Sequence, residues 1–191
     1  MNYPLPLTAF EAYMWADDSP AHPMTALYEV SFHGTIDRGR FEHAVKCALR
    51  EHPLLRSHVD ATGRRPVWKP AKDAAPWCSW GREDDDLRYP DDVEYIDLTR
   101  EVGVRYWVRS QADGGRILFQ IHHACADGLG VTDFVLDVLR AYANPAAEVN
   151  AASLRRDPGL LRSRGRFYRL PFFGPAAMLA WAGLHMVTWI G

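Results

Sequence analysis

The chain has 191 residues, 48% of them hydrophobic, and a formal net charge of -2. That is enough apolar material for one well-cored domain with an appendage, so a disordered chain is excluded. The charge balance, with no basic stripe interleaved with aromatics, argues against nucleic-acid binding. Three widely spaced cysteines, Cys47, Cys78 and Cys125, suggest neither a disulfide framework nor a Cys-x-x-Cys metal site. A reducing cytoplasm suits that cysteine usage, and the N-terminus shows no basic start and apolar core of a signal peptide.

In chain order, Thr8-Ala9-Phe10-Glu11 has capping-box spacing and predicts a short N-terminal helix. Residues 24 to 33, with Leu27, Tyr28, Val30 and Phe32, read as a strand ending near His33-Gly34. Asp37 is placed to cap a helix whose Phe41, Ala44, Val45, Ala48 and Leu49 share one face, and Pro53 stops it. Leu54 to Val59 and Pro66 to Lys69 read as a hairpin around Ala61-Thr62-Gly63-Arg64. The stretch from Glu83 to Glu94 carries seven acidic residues without calcium-loop spacing, which favours a solvated loop. Val104 to Arg109 and Arg116 to His122 form two strands joined through Gln111 to Gly115, an antiparallel hairpin. Beyond them Val131, Phe134, Val135, Val138, Leu139 and Tyr142 line one helical face, closed by Asn144-Pro145. Tight hairpins cannot join parallel neighbours, so the order predicts a mixed α/β (α+β) domain with a largely antiparallel sheet.

Between the last strand and the last helix lies His122-His123-Ala124-Cys125-Ala126-Asp127-Gly128. Side chains alternate along a strand, so His123 falls with Ile117, Phe119 and Ile121, and His122 falls with Leu118 and Gln120. The two imidazoles point opposite ways, which lets one face a substrate while the other is held in the protein body. Histidine suits proton abstraction because its unperturbed pKa is about 6.5. Asp127 and Gly128 then turn the chain, the aspartate by bonding backbone or an arginine, the glycine through its conformational freedom.

This His-His-x-x-x-Asp-Gly pattern resembles the acyltransferase superfamily that includes chloramphenicol acetyltransferase, the condensation domains of nonribosomal peptide synthetases and the wax ester synthase/diacylglycerol acyltransferases. The resemblance implies His123 as catalytic base and Asp127 as a residue that holds the site together through an arginine. Glu51-His52-Pro53-Leu54-Leu55-Arg56-Ser57 is similar to the family's helix-ending segment, which makes Arg56 that arginine. Smaller echoes lie at Pro20-Ala21-His22-Pro23-Met24 and at Asp97-Leu98-Thr99-Arg100 with Arg105, so the similarity spans residues 5 to about 143. It implies direct acyl transfer from a coenzyme A or phosphopantetheine thioester to an alcohol or amine, with no other cofactor bound.

The family's second-half Asp-Phe-Gly-Trp-type segment does not occur here. The resemblance therefore implies an N-terminal half, whether a truncated chain, a gene fragment or a subunit that completes its site by oligomerising. Residues 1–150 are read as the acyltransferase-like subdomain and 151–191 as a basic, then apolar, linker or interface segment. Arg155, Arg156, Arg162, Arg164, Arg166 and Arg169 precede Leu170 to Gly191, which holds no Asp, Glu, Lys or Arg. A helix starting after Pro175 would span about 15 residues, or roughly 23 Å at 1.5 Å per residue, short of the ~30 Å hydrocarbon core. Three roles stay open for 170–191: packing on the missing half, a peripheral membrane anchor with arginines toward headgroups, or an oligomer contact. Two further function classes stand beside the enzyme, a catalytically incomplete half-domain that binds a partner and a metal site on His122, His123 and Asp127. Adjacent strand histidines point apart, which counts against the metal.

Overall fold

The computed structural model describes residues 4–72, 75–144, 161 and 164. The roles considered for residues 170–191 lie outside the described residues. The chain runs β1 (Leu5–Pro6), α1 (Ala9–Asp17), β2 (Thr25–His33), α2 (Arg38–Glu51), β3 (Ser57–Asp60), β4 (Val67–Pro70), β5 (Trp77–Arg82), β6 (Val104–Gln111), β7 (Gly114–His122) and α3 (Gly128–Ala143). The helix starts are those the capping residues predict. Thr8 Oγ accepts the Glu11 amide at 3.2 Å while Glu11 accepts the Thr8 amide at 2.9 Å, and Asp37 accepts the Arg40 amide at 2.7 Å.

Two sheets form, a three-stranded one in the order β1-β4-β3 and a four-stranded one in the order β2-β7-β6-β5. In the larger sheet β2/β7 and β7/β6 are antiparallel, and β6/β5 is parallel. The mixed, largely antiparallel sheet is therefore as expected. Edge strand β5 is an addition, because Trp77-Cys78-Ser79-Trp80-Gly81-Arg82 carries no apolar alternation to announce it. The β6–β7 hairpin is also tighter than expected, since Gln111 pairs with Gly114 across a two-residue turn. At the same edge Gly34, with φ +82°, adopts the left-handed conformation that lets the chain leave β2.

Both faces of the central pair β6/β7 are buried, and they are buried differently. On one, Tyr106, Val108, Ile117 and Phe119 meet α2 and α3; Phe41 stands edge-on to Tyr106 at 5.7 Å and Phe119 edge-on to Phe134 at 5.9 Å. On the other, the alternate residues of β6 are polar and grip a loop. Trp107 Nε1 donates to the Arg88 carbonyl at 2.9 Å, Arg105 to the Val93 and Tyr95 carbonyls at 2.9 and 2.8 Å, and Arg109 to the Asp86 carbonyl at 2.9 Å. Gln120 of β7 adds a bond to the Glu94 carbonyl at 2.7 Å.

The acidic stretch 83–94 is thus not merely a solvated loop. Most of its carboxylates do face solvent, but its backbone is bound to the sheet. Arg105 and Arg109 are only 3% and 2% exposed, and burial pushes the Arg109 pKa down from its ordinary value. Arg105 is matched by a two-pronged pair with Glu101, at 2.9 and 2.5 Å. Among the described residues no helix is long and apolar enough to cross a membrane, and no group of three or more His, Cys, Asp or Glu side chains is arranged to hold a metal ion.

The hairpin leaves no room for a side chain at its base. A Cβ on Gly115 would strike the Arg109 carbonyl oxygen and sit 2.8 Å from Ser110 Cα, both backbone atoms of β6. Gly115→Ala should therefore cost about 1–3 kcal/mol, the usual price of overpacking, read as a lowered denaturant midpoint with an unchanged slope.

Candidate active site

The histidine motif occupies the passage from β7 into α3, and three backbone bonds fix it. The His122 amide donates to the Gly103 carbonyl at 3.0 Å, the His123 amide to the Met24 carbonyl at 2.9 Å, and the Cys125 amide to the His122 carbonyl at 2.9 Å. The opposed imidazoles follow from strand alternation: His122 is fully buried and His123 is exposed.

His122 is locked by a residue 104 positions away. Its Nδ1 accepts the Ala124 amide at 3.0 Å, so its ring hydrogen sits on Nε2, which meets Asp18 Oδ2 at 2.8 Å. The other Asp18 oxygen accepts the Met24 amide at 2.6 Å. Asp18 and His122 are 1% and 0% exposed, so this is a buried carboxylate whose every close partner is a donor. Met24 is also the residue whose carbonyl receives the His123 amide. One aspartate therefore holds the neighbour of His123 by its ring and His123 itself by its backbone.

His123 faces a cleft of about 480 Å³ whose walls come from α1, the end of α2, the motif loop and the start of α3. Phe10, Leu54, Leu55, Ala124 and Leu161 are among its apolar lining residues. Among the described residues no hydrogen-bond partner engages the His123 ring, which leaves it available to a molecule in the cleft.

Asp127 and Arg56 do not form the expected buried pair. Asp127 is exposed, and its Oδ1 accepts the Gly130 amide at 2.8 Å as the N-cap of α3. Arg56 is half-buried, and its backbone is committed to the smaller sheet, its carbonyl taking the Ala71 amide at 3.1 Å. α2 and α3 are tied instead through His52, the C-cap of α2, whose Nε2 lies 3.0 Å from Asp137 Oδ2, and through Arg40, which donates to the Tyr142 and Ala143 carbonyls at 2.6 and 3.0 Å. The His52 ring also stands edge-on to Phe134 at 5.2 Å. Gly128 is not forced by sterics, since a Cβ there would meet nothing within 4 Å.

Glu11 carries more than a capping role. Its carboxylate also receives Trp68 Nε1 at 3.0 Å and a two-pronged contact from Arg164, at 2.6 and 2.7 Å. Arg164 adds a bond to the Pro6 carbonyl at 2.6 Å. This arginine is turned into the protein beside the cleft. The motif's own thiol is unsuited to nucleophilic work: Cys125 is buried against Gly103, and burial pushes its pKa well above the ordinary thiol value.

Sequence reasoning missed Asp18, His52 and the second role of Glu11. Their partners are 104, 85 and 153 residues distant, beyond the reach of any local spacing rule.

These contacts order the effects of substitution. Asp18→Ala strands the buried Nε2–H of His122 and the Met24 amide at about 1–3 kcal/mol each, whereas Asp127→Ala removes only an exposed cap at about 0.5–2 kcal/mol. Denaturant melts of the two variants should show the larger loss in Asp18→Ala. Alkylation followed by mass spectrometry should label the half-buried Cys47 and Cys78 in the native protein and leave Cys125 unmodified until the chain is unfolded.

No family model matches the chain. Among curated proteins it is 27% identical to an uncharacterised protein of Mycobacterium tuberculosis strain H37Rv, and equally to one of strain CDC 1551 / Oshkosh. The alignments cover 87% of this chain and 41% of those proteins, so the chain spans about two fifths of their length. Among solved structures it is similar to the starter condensation domain of rhizomide synthetase RzmA (TM-score 0.63, 17% identity, 75% of this chain and 38% of that one). A variant of that domain has been solved in complex with C8-CoA. The X-domain from teicoplanin biosynthesis is similar too (TM-score 0.65, 19% identity, 77% and 34%), as is the tallysomycin biosynthesis protein TlmII (TM-score 0.59, 17% identity, 73% and 38%). The described residues thus have the chloramphenicol acetyltransferase-like fold of condensation domains, over a stretch corresponding to somewhat more than a third of such a domain.

Proposed function

We propose that the chain forms the His-bearing part of an acyltransferase that moves an acyl group from a coenzyme A or carrier-bound thioester to an alcohol or amine. The observation that carries this reading is the His123 ring, exposed in an apolar-walled cleft, with its backbone anchored beside the buried Asp18–His122 pair. The fold is one found in condensation domains, and the complex of one such domain with C8-CoA supports a thioester donor.

In this scheme a nitrogen of His123 accepts the proton of the acceptor hydroxyl or amine as the acceptor's heteroatom bonds to the thioester carbonyl carbon. Collapse of the tetrahedral species breaks the carbon–sulfur bond, and His123 returns the proton to the leaving thiolate. No covalent enzyme intermediate is required, in keeping with the raised pKa of Cys125. The Gly130 amide is already used by Asp127, so the oxyanion must be met by other donors. His122 and Asp127 are assigned positioning roles, Gly128 none that requires glycine, and Arg56 none in pairing with Asp127.

A second reading is favoured by the apolar residues left exposed near the cleft. Phe10 and Tyr13 on α1 are 55% and 57% exposed, and Leu129 at the start of α3 is 79% exposed. These surfaces suit an incomplete half-domain that docks on the remainder of a two-part acyltransferase or on a second copy.

The two readings separate in one assay, thiol release from a medium-chain acyl-CoA offered with alcohol and amine acceptors. The enzymatic reading expects release by the full chain and a loss of about 10²–10⁴ in rate for His123→Ala with folding intact. Equal rates for the two proteins would end it. Binding of the acyl-CoA without release by either protein would favour the docking reading.

A further inference from the structure

A second cleft, of about 680 Å³, lies on the smaller sheet and is lined by Pro4, His58, Lys69, Pro70, Ala71, Lys72 and Arg100. Among the described residues its lining includes Lys69, Lys72 and Arg100 and a fourth group able to take a positive charge, His58, and contains no carboxylate. That is a sharp local departure for a chain of net charge -2. Between residues 56 and 72 the sequence places Arg56, Arg64, Arg65, Lys69 and Lys72 against the single acid Asp60.

The cations are presented by fixed backbone. His58 and Lys69 are direct cross-strand partners in the β3/β4 ladder, so their side chains stand on the same face of the sheet. Arg100 ends a turn built by Asp97, whose carboxylate accepts the Thr99 amide and hydroxyl at 2.9 and 2.7 Å and whose carbonyl accepts the Arg100 amide at 2.9 Å. That turn is joined to β3 by the Val59 amide, which donates to the Leu98 carbonyl at 2.7 Å, and Leu98 is buried. Ala71, beside Lys72, is tied to the Arg56 carbonyl at 3.1 Å.

The nearby acid is already engaged. Asp60 pairs with Lys69 and accepts both the amide and the hydroxyl of Thr62, at 2.9 and 2.6 Å. Among the described residues, no ion pair engages Lys72 or Arg100.

We propose that this cleft binds the phosphate groups of a phosphorylated small molecule, with Arg100 and Lys72 as the principal contacts and Lys69 and His58 flanking them. A diphosphate suits the site better than a monoanion because several cations converge and the guanidinium can take two oxygens at once. The proposal does not depend on His123 acting as a base.

The test is calorimetric titration of the full chain with inorganic pyrophosphate, with sulfate as the comparison anion. A Lys72→Gln/Arg100→Gln double variant, checked for an unchanged melting curve, serves as control; Lys69 is kept because it pairs with Asp60. Pyrophosphate should bind more tightly than sulfate, weaken as salt is raised, and lose about tenfold or more in affinity in the double variant. Adenosine 3′,5′-diphosphate should compete for the same site if the phosphates belong to a nucleotide. Failure to compete would identify a non-nucleotide phosphate. Pyrophosphate binding no tighter than sulfate, or binding unchanged in the double variant, would overturn the proposal.

Discussion

The arrangement around the cleft depends on one buried ion–dipole contact, Asp18 to His122. A carboxylate 1% exposed is tolerated in this interior because every close partner is a donor: the His122 ring hydrogen on one oxygen and the Met24 amide on the other. Such a group costs several kcal/mol to bury unpaired, so the pairing cannot be given up piecemeal. Because Met24 also receives the His123 amide, the contact joins the entry of β2 to the exit of β7 at the point where an exposed imidazole faces the cleft. The buried pair and the Met24 carbonyl fix the backbone of His123, and so the point from which its ring reaches the cleft.

The same logic recurs across the sheet. β6 alternates apolar residues toward the helices with Arg105, Trp107 and Arg109 toward the loop, and those three spend their donors on loop carbonyls. Polar side chains thus do on one face what aromatic packing does on the other. The result is a central strand pair shielded on both sides, a stiff platform from which β7 delivers the motif. On the smaller sheet, Lys69 of β4 is exposed to solvent, as is Arg100 of the Asp97 turn.

Much of the fold was legible because its signals are local. The Thr8–Glu11 box, the Asp37 cap, the apolar stripes of α2 and α3, and the alternation of β6 and β7 each depend on residues within a few positions of one another. Strand β5 was not, since an edge strand with every residue partly exposed, and none strongly buried, carries little alternation. At the site, alternation alone put the two histidines on opposite sides. The expected Asp127–Arg56 pair is not formed, because whether an arginine and an aspartate 71 positions apart meet depends on how two helices close, and here His52 with Asp137 and Arg40 with the Tyr142 and Ala143 carbonyls hold them.

By itself the sequence determined α1 to α3, their caps, the β6–β7 hairpin and the opposition of His122 and His123, through local capping bonds and backbone periods of 3.6 and 2 residues. Tertiary structure decided which acid holds the buried histidine, that Glu11 gathers Trp68 and Arg164, and that four potential cations converge on one cleft. Those pairings join residues far apart in the chain, and their identity is set by the packing of separate elements, which local composition and spacing do not encode.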